Sequence, residues 1–247
     1  MSAVPAAPTT QLDEDAARRR RLGAGLFASV TVYAVAVMMM GLVFASTPPP
    51  RLLEGMADFQ QGRALYQWGF VGASMLAPSF VSMLLLLAAS SGVRASSTRR
   101  SVATVLLGAY VAAASFAYTS QYTFFPELVD RDPEGAALWY FHDDESIPYA
   151  IDLVGYTLLG LAALLLASVL AACGRRLLAG WLGGMGALSI AAFVLYAAGA
   201  GALGGVLSLS SAALTVPIAA CAIVEGRRLR VRPNQAGQPR WARSRRT

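Results

Sequence analysis

The sequence predicts an all-α fold, a polytopic membrane bundle of six transmembrane helices with both termini inside. Three observations carry this reading. Hydrophobic residues fill 56% of the 247 positions and charged residues only 14%, whereas soluble domains carry about 25% charged residues. Six apolar runs are long enough to cross a hydrocarbon core of about 30 Å, which takes about 20 helical residues. The arginines are strongly segregated among the segments between those runs.

The runs cover residues 23–46, 66–90, 102–125, 149–173, 177–198 and 202–224. None has an arginine in its interior. The first ends in Ala45-Ser46, as a cleaved leader would, but it exceeds the usual apolar core of a signal peptide, so it reads as a true span. Pro78 in the second and Pro217 in the sixth predict bends, since each removes a backbone donor. Pro148 fits the first turn of the fourth, where a missing N–H costs little. Gly180 with Gly184, and Gly201 with Gly205, have the G-x-x-x-G spacing that permits close helix approach.

Orientation follows from the charges. Counting alternate segments from the N-terminus, one side holds Arg18 to Arg21, Arg94, Arg99, Arg100, Arg175, Arg176 and eight arginines beyond Val224. The other holds only Arg51, Arg63 and Arg131. A 17-to-3 split places the rich side in the cytoplasm. The chain then divides into a disordered N-terminal tail at 1–21, the membrane domain at 22–225 and a basic disordered tail at 226–247. Neither tail carries enough apolar surface to offset the entropy of ordering. The C-terminal arginines should meet anionic headgroups, each at about 1 kcal/mol, and not nucleic acid. The small-residue stripes are read first as packing within the bundle, with a homo-oligomer or a partner membrane protein as the alternative. Lysine is absent, and alanine and glycine are abundant; this points to a GC-rich bacterial genome and so to a bacterial inner membrane. Cys173 and Cys221 match no metal or redox spacing and read as small apolar filler.

The segment joining the third and fourth runs is acidic, with Glu127, Asp130, Asp132, Glu134, Asp143, Asp144 and Glu145 against Arg131 alone. Asp132-Pro133 predicts a turn. Residues 134–141 follow as a short helix, whose Leu138, Trp139, Tyr140 and Phe141 suit headgroup depth. His142, the one histidine, precedes three acids. This set could bind a divalent cation, but consecutive residues seldom converge on one ion, and a solvated acidic loop explains them as well; no metal site is assigned.

Asp152 lies one turn inside the fourth run. Tyr149, Asp152 and Tyr156 share one helix face by their spacing. Tyr118 and Gln121 do the same at the facing end of the third run, and Gln67 leads a stripe with Phe70 and Ser74 in the second. A carboxylate at membrane depth is costly unless paired, hydrated or turned into the bundle. Asp152 is therefore expected to point inward and to meet Gln121, Gln67 or a tyrosine hydroxyl, within a polar, aromatic-lined cavity of the outer leaflet. A capping or helix-linking role for Asp152 explains the same residues.

Absences narrow the chemistry. One histidine cannot supply the two axial imidazoles of a bis-histidine haem, nor a histidine-box di-iron site. No Walker A, G-x-S-x-G or H-E-x-x-H sequence occurs, and no cofactor is expected. The stretch at 118–167 is similar to a domain-of-unknown-function family of six-span bacterial membrane proteins. It shares a Tyr/Gln end to the third span, an acidic outer loop and an acid followed by Gly-Tyr, here Gln121 with Asp152, Gly155 and Tyr156. That resemblance implies the fold and no activity. Three function classes stay open. One is a protein that binds or moves a small or lipidic ligand around Asp152. Another is a membrane enzyme or enzyme subunit using Asp152, with or without a metal at His142. The third is a structural partner subunit.

Overall fold

The computed structural model describes residues 9–91 and 98–231. These form ten helices: α1 Thr9–Ala45, α2 Met56–Ala73, α3 Leu76–Ser90, α4 Thr98–Ser120, α5 Phe125–Arg131, α6 Pro133–Ala137, α7 Ile147–Ala172, α8 Arg176–Ala197, α9 Gly201–Ala213 and α10 Thr215–Val231. Six stretches are long and apolar enough to cross a membrane: Glu14–Ala45, Met56–Ser90, Thr98–Arg131, Ile147–Ala172, Arg176–Ala197 and Gly201–Val231. The six-span, all-helical bundle is therefore the architecture observed. α1 packs on α2, α3 and α10, while α4, α7, α8 and α9 pack in sequence order, with α3 touching α4.

Both prolines act as expected. The second span breaks at Ser74 and Met75, and the sixth at Leu214. Each break lies one turn before a proline, where the carbonyl that Pro78 or Pro217 cannot bond to is released. Hydroxyls occupy neighbouring carbonyls there: Ser74 donates to Val71 O at 2.7 Å, Ser79 to Met75 O at 2.6 Å and Thr215 to Ala212 O at 2.6 Å.

Three boundaries differ from the sequence expectation. α1 begins at Thr9, inside the stretch expected to be a tail. Ala, Leu, Glu and Arg favour helix there, and Glu14 with Arg18 and Asp15 with Arg19 have the favourable i, i+4 order. α10 runs on to Val231; the rest of the basic tail lies outside the described residues. The helix expected over 134–141 stops at Ala137. Asp132 Oδ1 caps its start by accepting from Gly135 N at 3.0 Å, and residues 138–146 then form turns.

Those turns turn side chains inward. Tyr140 is completely buried and Phe141 is 9% exposed, while Leu138 stays 58% exposed. Tyr140 and Phe141 are thus not headgroup anchors. They join Phe59, Tyr66, Phe70, Tyr118 and Phe125 in one aromatic shell at the acid-rich end. The loop is tied down at three points. Arg63 donates to both oxygens of Asp130, at 2.7 and 2.9 Å, and to Pro126 O at 2.8 Å. Tyr140 donates to Pro49 O at 2.7 Å. Tyr196 on α8 donates to Asp144 O.

The closest helix contacts do not use the G-x-x-x-G pairs. A Cβ at Gly180 or Gly205 would meet nothing within 4 Å. Instead α7 meets α8 at Gly160 and Gly186, where a Cβ on Gly186 would sit 2.6 Å from Gly160 O. α2 meets α1 at Gly69, whose Cβ would lie 2.7 Å from the backbone nitrogen of Val43. Cys173 is exposed and Cys221 half-buried.

Candidate functional site

Gln121, at the turn that ends α4, is fully buried. All of its amide is engaged. Its Oε1 accepts from Tyr66 OH at 2.7 Å and from Phe141 N at 3.2 Å. Its Nε2 donates to Ser120 Oγ at 2.8 Å and to Trp139 O at 2.9 Å. An amide side chain offers two donors and two acceptor directions, so no capacity is left for Asp152 or a ligand. Gln121 is a pin joining α2, α4 and the 138–146 turns.

Asp152 faces inward from the second turn of α7, as the cost of a lipid-facing carboxylate demands. It is 7% exposed. Tyr118 donates to its Oδ2 across a long 3.3 Å. Its Oδ1 is buried and has no hydrogen-bond partner among the described residues. No ion pair among the described residues includes it. Around it stand tyrosines of three helices. The Tyr156 hydroxyl adjoins that of Tyr118, and the Tyr156 and Tyr110 rings lie 6.0 Å apart. Farther along, Tyr33 of α1 donates to Thr215 Oγ1 at 2.7 Å. Of the three partners expected for Asp152, the tyrosine hydroxyl is the one found.

The packing here is close. Gly155, one turn on from Asp152, lies against α4, where an added Cβ would be 3.4 Å from Ala113 Cβ and from the Tyr110 ring. Asp152 therefore sits in an α4–α7 contact and not at the wall of a wide chamber. Tyr149 stands apart from it, half-buried, with its ring between Phe141 at 6.2 Å and Tyr196 at 5.5 Å. Gln67 is also half-exposed, and Tyr66 and Phe70 take the inward face of α2 in its place. The six expected site residues therefore divide: Asp152, Tyr118 and Tyr156 come together, and Gln121, Tyr149 and Gln67 do not join them.

His142 does not gather its acidic neighbours. Its ring is set among Phe44, Tyr66, Phe70, Tyr140 and Phe141, with centroids 5.8 to 6.5 Å away. Asp144 and Glu145 are exposed. Nowhere among the described residues do three His, Cys, Asp or Glu side chains converge as metal ligands would. Burial in this shell pushes the imidazole down to about 4, because an apolar surround disfavours the cation. Its Nε2 is buried without a partner, the only such side-chain atom besides Asp152 Oδ1 among the described residues.

Tyr110 was not among the residues expected at the site. Its signal was present, since Tyr110, Ala114 and Tyr118 recur every four residues on one helix face. No known family model matches the chain, and neither a curated protein nor a solved structure matches it.

Proposed function

We propose that this protein, held in a bacterial inner membrane with both termini in the cytoplasm, binds a small ligand at Asp152 in the outer half of the bundle. The carrying observation is the buried Oδ1 of Asp152, which no group among the described residues satisfies. A buried carboxylate oxygen without a donor costs stability, so its retention is explained by a ligand that supplies an N–H or O–H. The tyrosine faces of α4 and α7 suit a cationic ligand best, because aromatic rings attract cations and no arginine competes for the carboxylate. Entry requires α4 and α7 to part along their small residues, Ala113, Ala114 and Gly155. The membrane-enzyme reading lacks a second acid or base next to Asp152, and the divergence of the acids from His142 weakens its metal form.

The test is native mass spectrometry of the full chain in mild detergent, for wild type, Asp152→Asn and Tyr118→Phe. A bound mass in the wild type, lost in Asp152→Asn and weakened in Tyr118→Phe, supports the reading and identifies the ligand. No adduct in the wild type, with Asp152→Asn equally stable, overturns it in favour of a purely structural aspartate.

A further inference from the structure

At the opposite, arginine-rich end, two concave sites share one ion pair. Arg175, in the turn before α8, reaches Glu225 of α10 with both nitrogens, Nη1 to Oε2 at 2.9 Å and Nη2 to Oε1 at 2.8 Å. Glu225 is 10% exposed and Arg175 34%. Arg228 adds a looser contact to Glu225 at 3.8 Å. A two-pronged guanidinium–carboxylate pair is a rigid fitting, and it fixes α8 against α10.

On one side of the pair is a polar hollow of about 630 Å³, which brings Arg18 and Arg19 of α1 beside Arg175 and Arg228, with Asp15 and Glu225 as its acids. Four guanidinium groups face two carboxylates. Both carboxylate oxygens of Glu225 are already engaged, and Arg18 and Arg19 are exposed with no ion pair among the described residues. On the other side is a groove of about 480 Å³ walled by Leu87, Leu177, Leu178, Cys221 and Val224, and reaching Ala220. The first turn of α8, which no side chain caps, borders it. Its free N–H groups are the usual anion-facing end of a helix.

We propose that these two hollows form one site for an anionic phospholipid, its phosphate among Arg18, Arg19, Arg175 and Arg228 and an acyl chain along the adjoining groove. The charge excess selects an anion, and the apolar wall next to it selects an amphiphile over a free phosphate. Basic pockets between helices at the cytoplasmic side of a membrane hold lipid headgroups in this manner. The site is separate from Asp152, lies at the other end of the bundle and stands or falls without it. It also differs from diffuse attraction by a charged tail, since its charges come from α1, α10 and the turn before α8, not from residues beyond 231.

The test uses the full chain in neutral detergent, titrated with phosphatidylglycerol and with phosphatidylcholine of the same acyl chains and read by native mass spectrometry. The variants are Arg18→Ala/Arg19→Ala and Ala220→Trp. All three positions are exposed, and unfolding curves check that the fold is kept. Phosphatidylglycerol is expected to bind at least fivefold tighter than phosphatidylcholine. The double arginine variant should lose about 25-fold, at about fivefold for each arginine near the surface, and Ala220→Trp should weaken binding by obstructing the groove. Equal binding of the two lipids, or no effect of the arginine substitutions, overturns the site. Inorganic phosphate binding as tightly as phosphatidylglycerol, with Ala220→Trp indifferent, overturns the lipid assignment in favour of a soluble phosphorylated ligand.

Discussion

Gln121→Leu should release the loop over the aromatic shell while leaving the bundle assembled. Leucine fills nearly the same space but makes none of the four hydrogen bonds of the amide. Tyr66 OH, Phe141 N and Trp139 O then lose a partner in a buried region. Each bond contributes about 1 kcal/mol net, and an orphaned buried partner costs about 1–3 kcal/mol. Ser120 Oγ still donates to Ala117 O and loses only the Nε2 donor, so about 1 kcal/mol for each of the four lost bonds gives a total near 3–4 kcal/mol. That corresponds to an increase of about 10² to 10³ in the opening constant of the segment. Amide hydrogen exchange across residues 138–146 reads it directly, because protection there reports the local opening. Tyr66→Phe is the graded control. It removes one hydroxyl and leaves Phe141 N on Oε1, so protection should fall only about fivefold. If Gln121→Leu exchanges no faster than Tyr66→Phe over these residues, Gln121 is not the pin, and the loop is held by Arg63, Tyr140 and Tyr196 alone.

Three other outcomes are expected. Asp152→Leu removes a buried carboxyl that is held only by a long bond from Tyr118, so the unfolding free energy in detergent should rise by about 1–2 kcal/mol; a fall would mean that Asp152 makes a stabilising contact beyond Tyr118. Gly69→Ala drives a methyl group into the backbone of α1 and should cost about 1–3 kcal/mol, whereas Gly108→Ala, with open space around it, should be neutral or slightly stabilising in the same melts; equal effects would refute the close α1–α2 approach. His142 has its folded value lowered to about 4 from an unfolded value near 6.5. The unfolded chain therefore binds the extra proton first, and the stability from a neutral His142 is full above about 6.5 and is lost as the pH falls towards 4, in all about 3 kcal/mol. His142→Gln should flatten that part of the pH dependence, and an unchanged slope would place His142 in contact with water.

How much of the site was readable depended on range. The inward turn of Asp152 followed from one residue and its solvent, since a carboxylate facing lipid is too costly at that depth. Its link to Tyr118 followed from helix faces that meet at the same end. Which partner would win did not follow. Gln121 looked as suitable as Tyr118, and only the path of the 138–146 turns, which bring Trp139 O and Phe141 N onto the amide, committed it elsewhere. Gln67 stays off the site because a helix face is chosen by what packs against it. Tyr66 and Phe70 find an aromatic shell, and Gln67 is left half-exposed. His142 adjoins an acidic run in sequence, but its ring enters the aromatic shell while Asp144 and Glu145 stay exposed, a separation that depends on what packs over the turn.

By itself the sequence determined what depends on composition and local geometry. Six apolar lengths define six spans, because lipid requires every backbone group to be bonded within its own helix. Pro78 and Pro217 determine where two of them break, through a donor that proline lacks. Ser146, whose Oγ accepts from Tyr149 N at 3.3 Å, and Pro148 set the start of α7. Tertiary structure alone decided what depends on residues far apart in the chain: the Arg175–Glu225 clamp across 50 positions, the Gly160–Gly186 contact, the burial of Tyr140 and Phe141, which read as headgroup anchors, and the buried Asp152 oxygen that no donor among the described residues reaches. The physical reason is that helix formation and membrane partitioning are summed over neighbouring residues, whereas hydrogen-bond satisfaction and close packing are settled between surfaces that meet only once the helices have assembled.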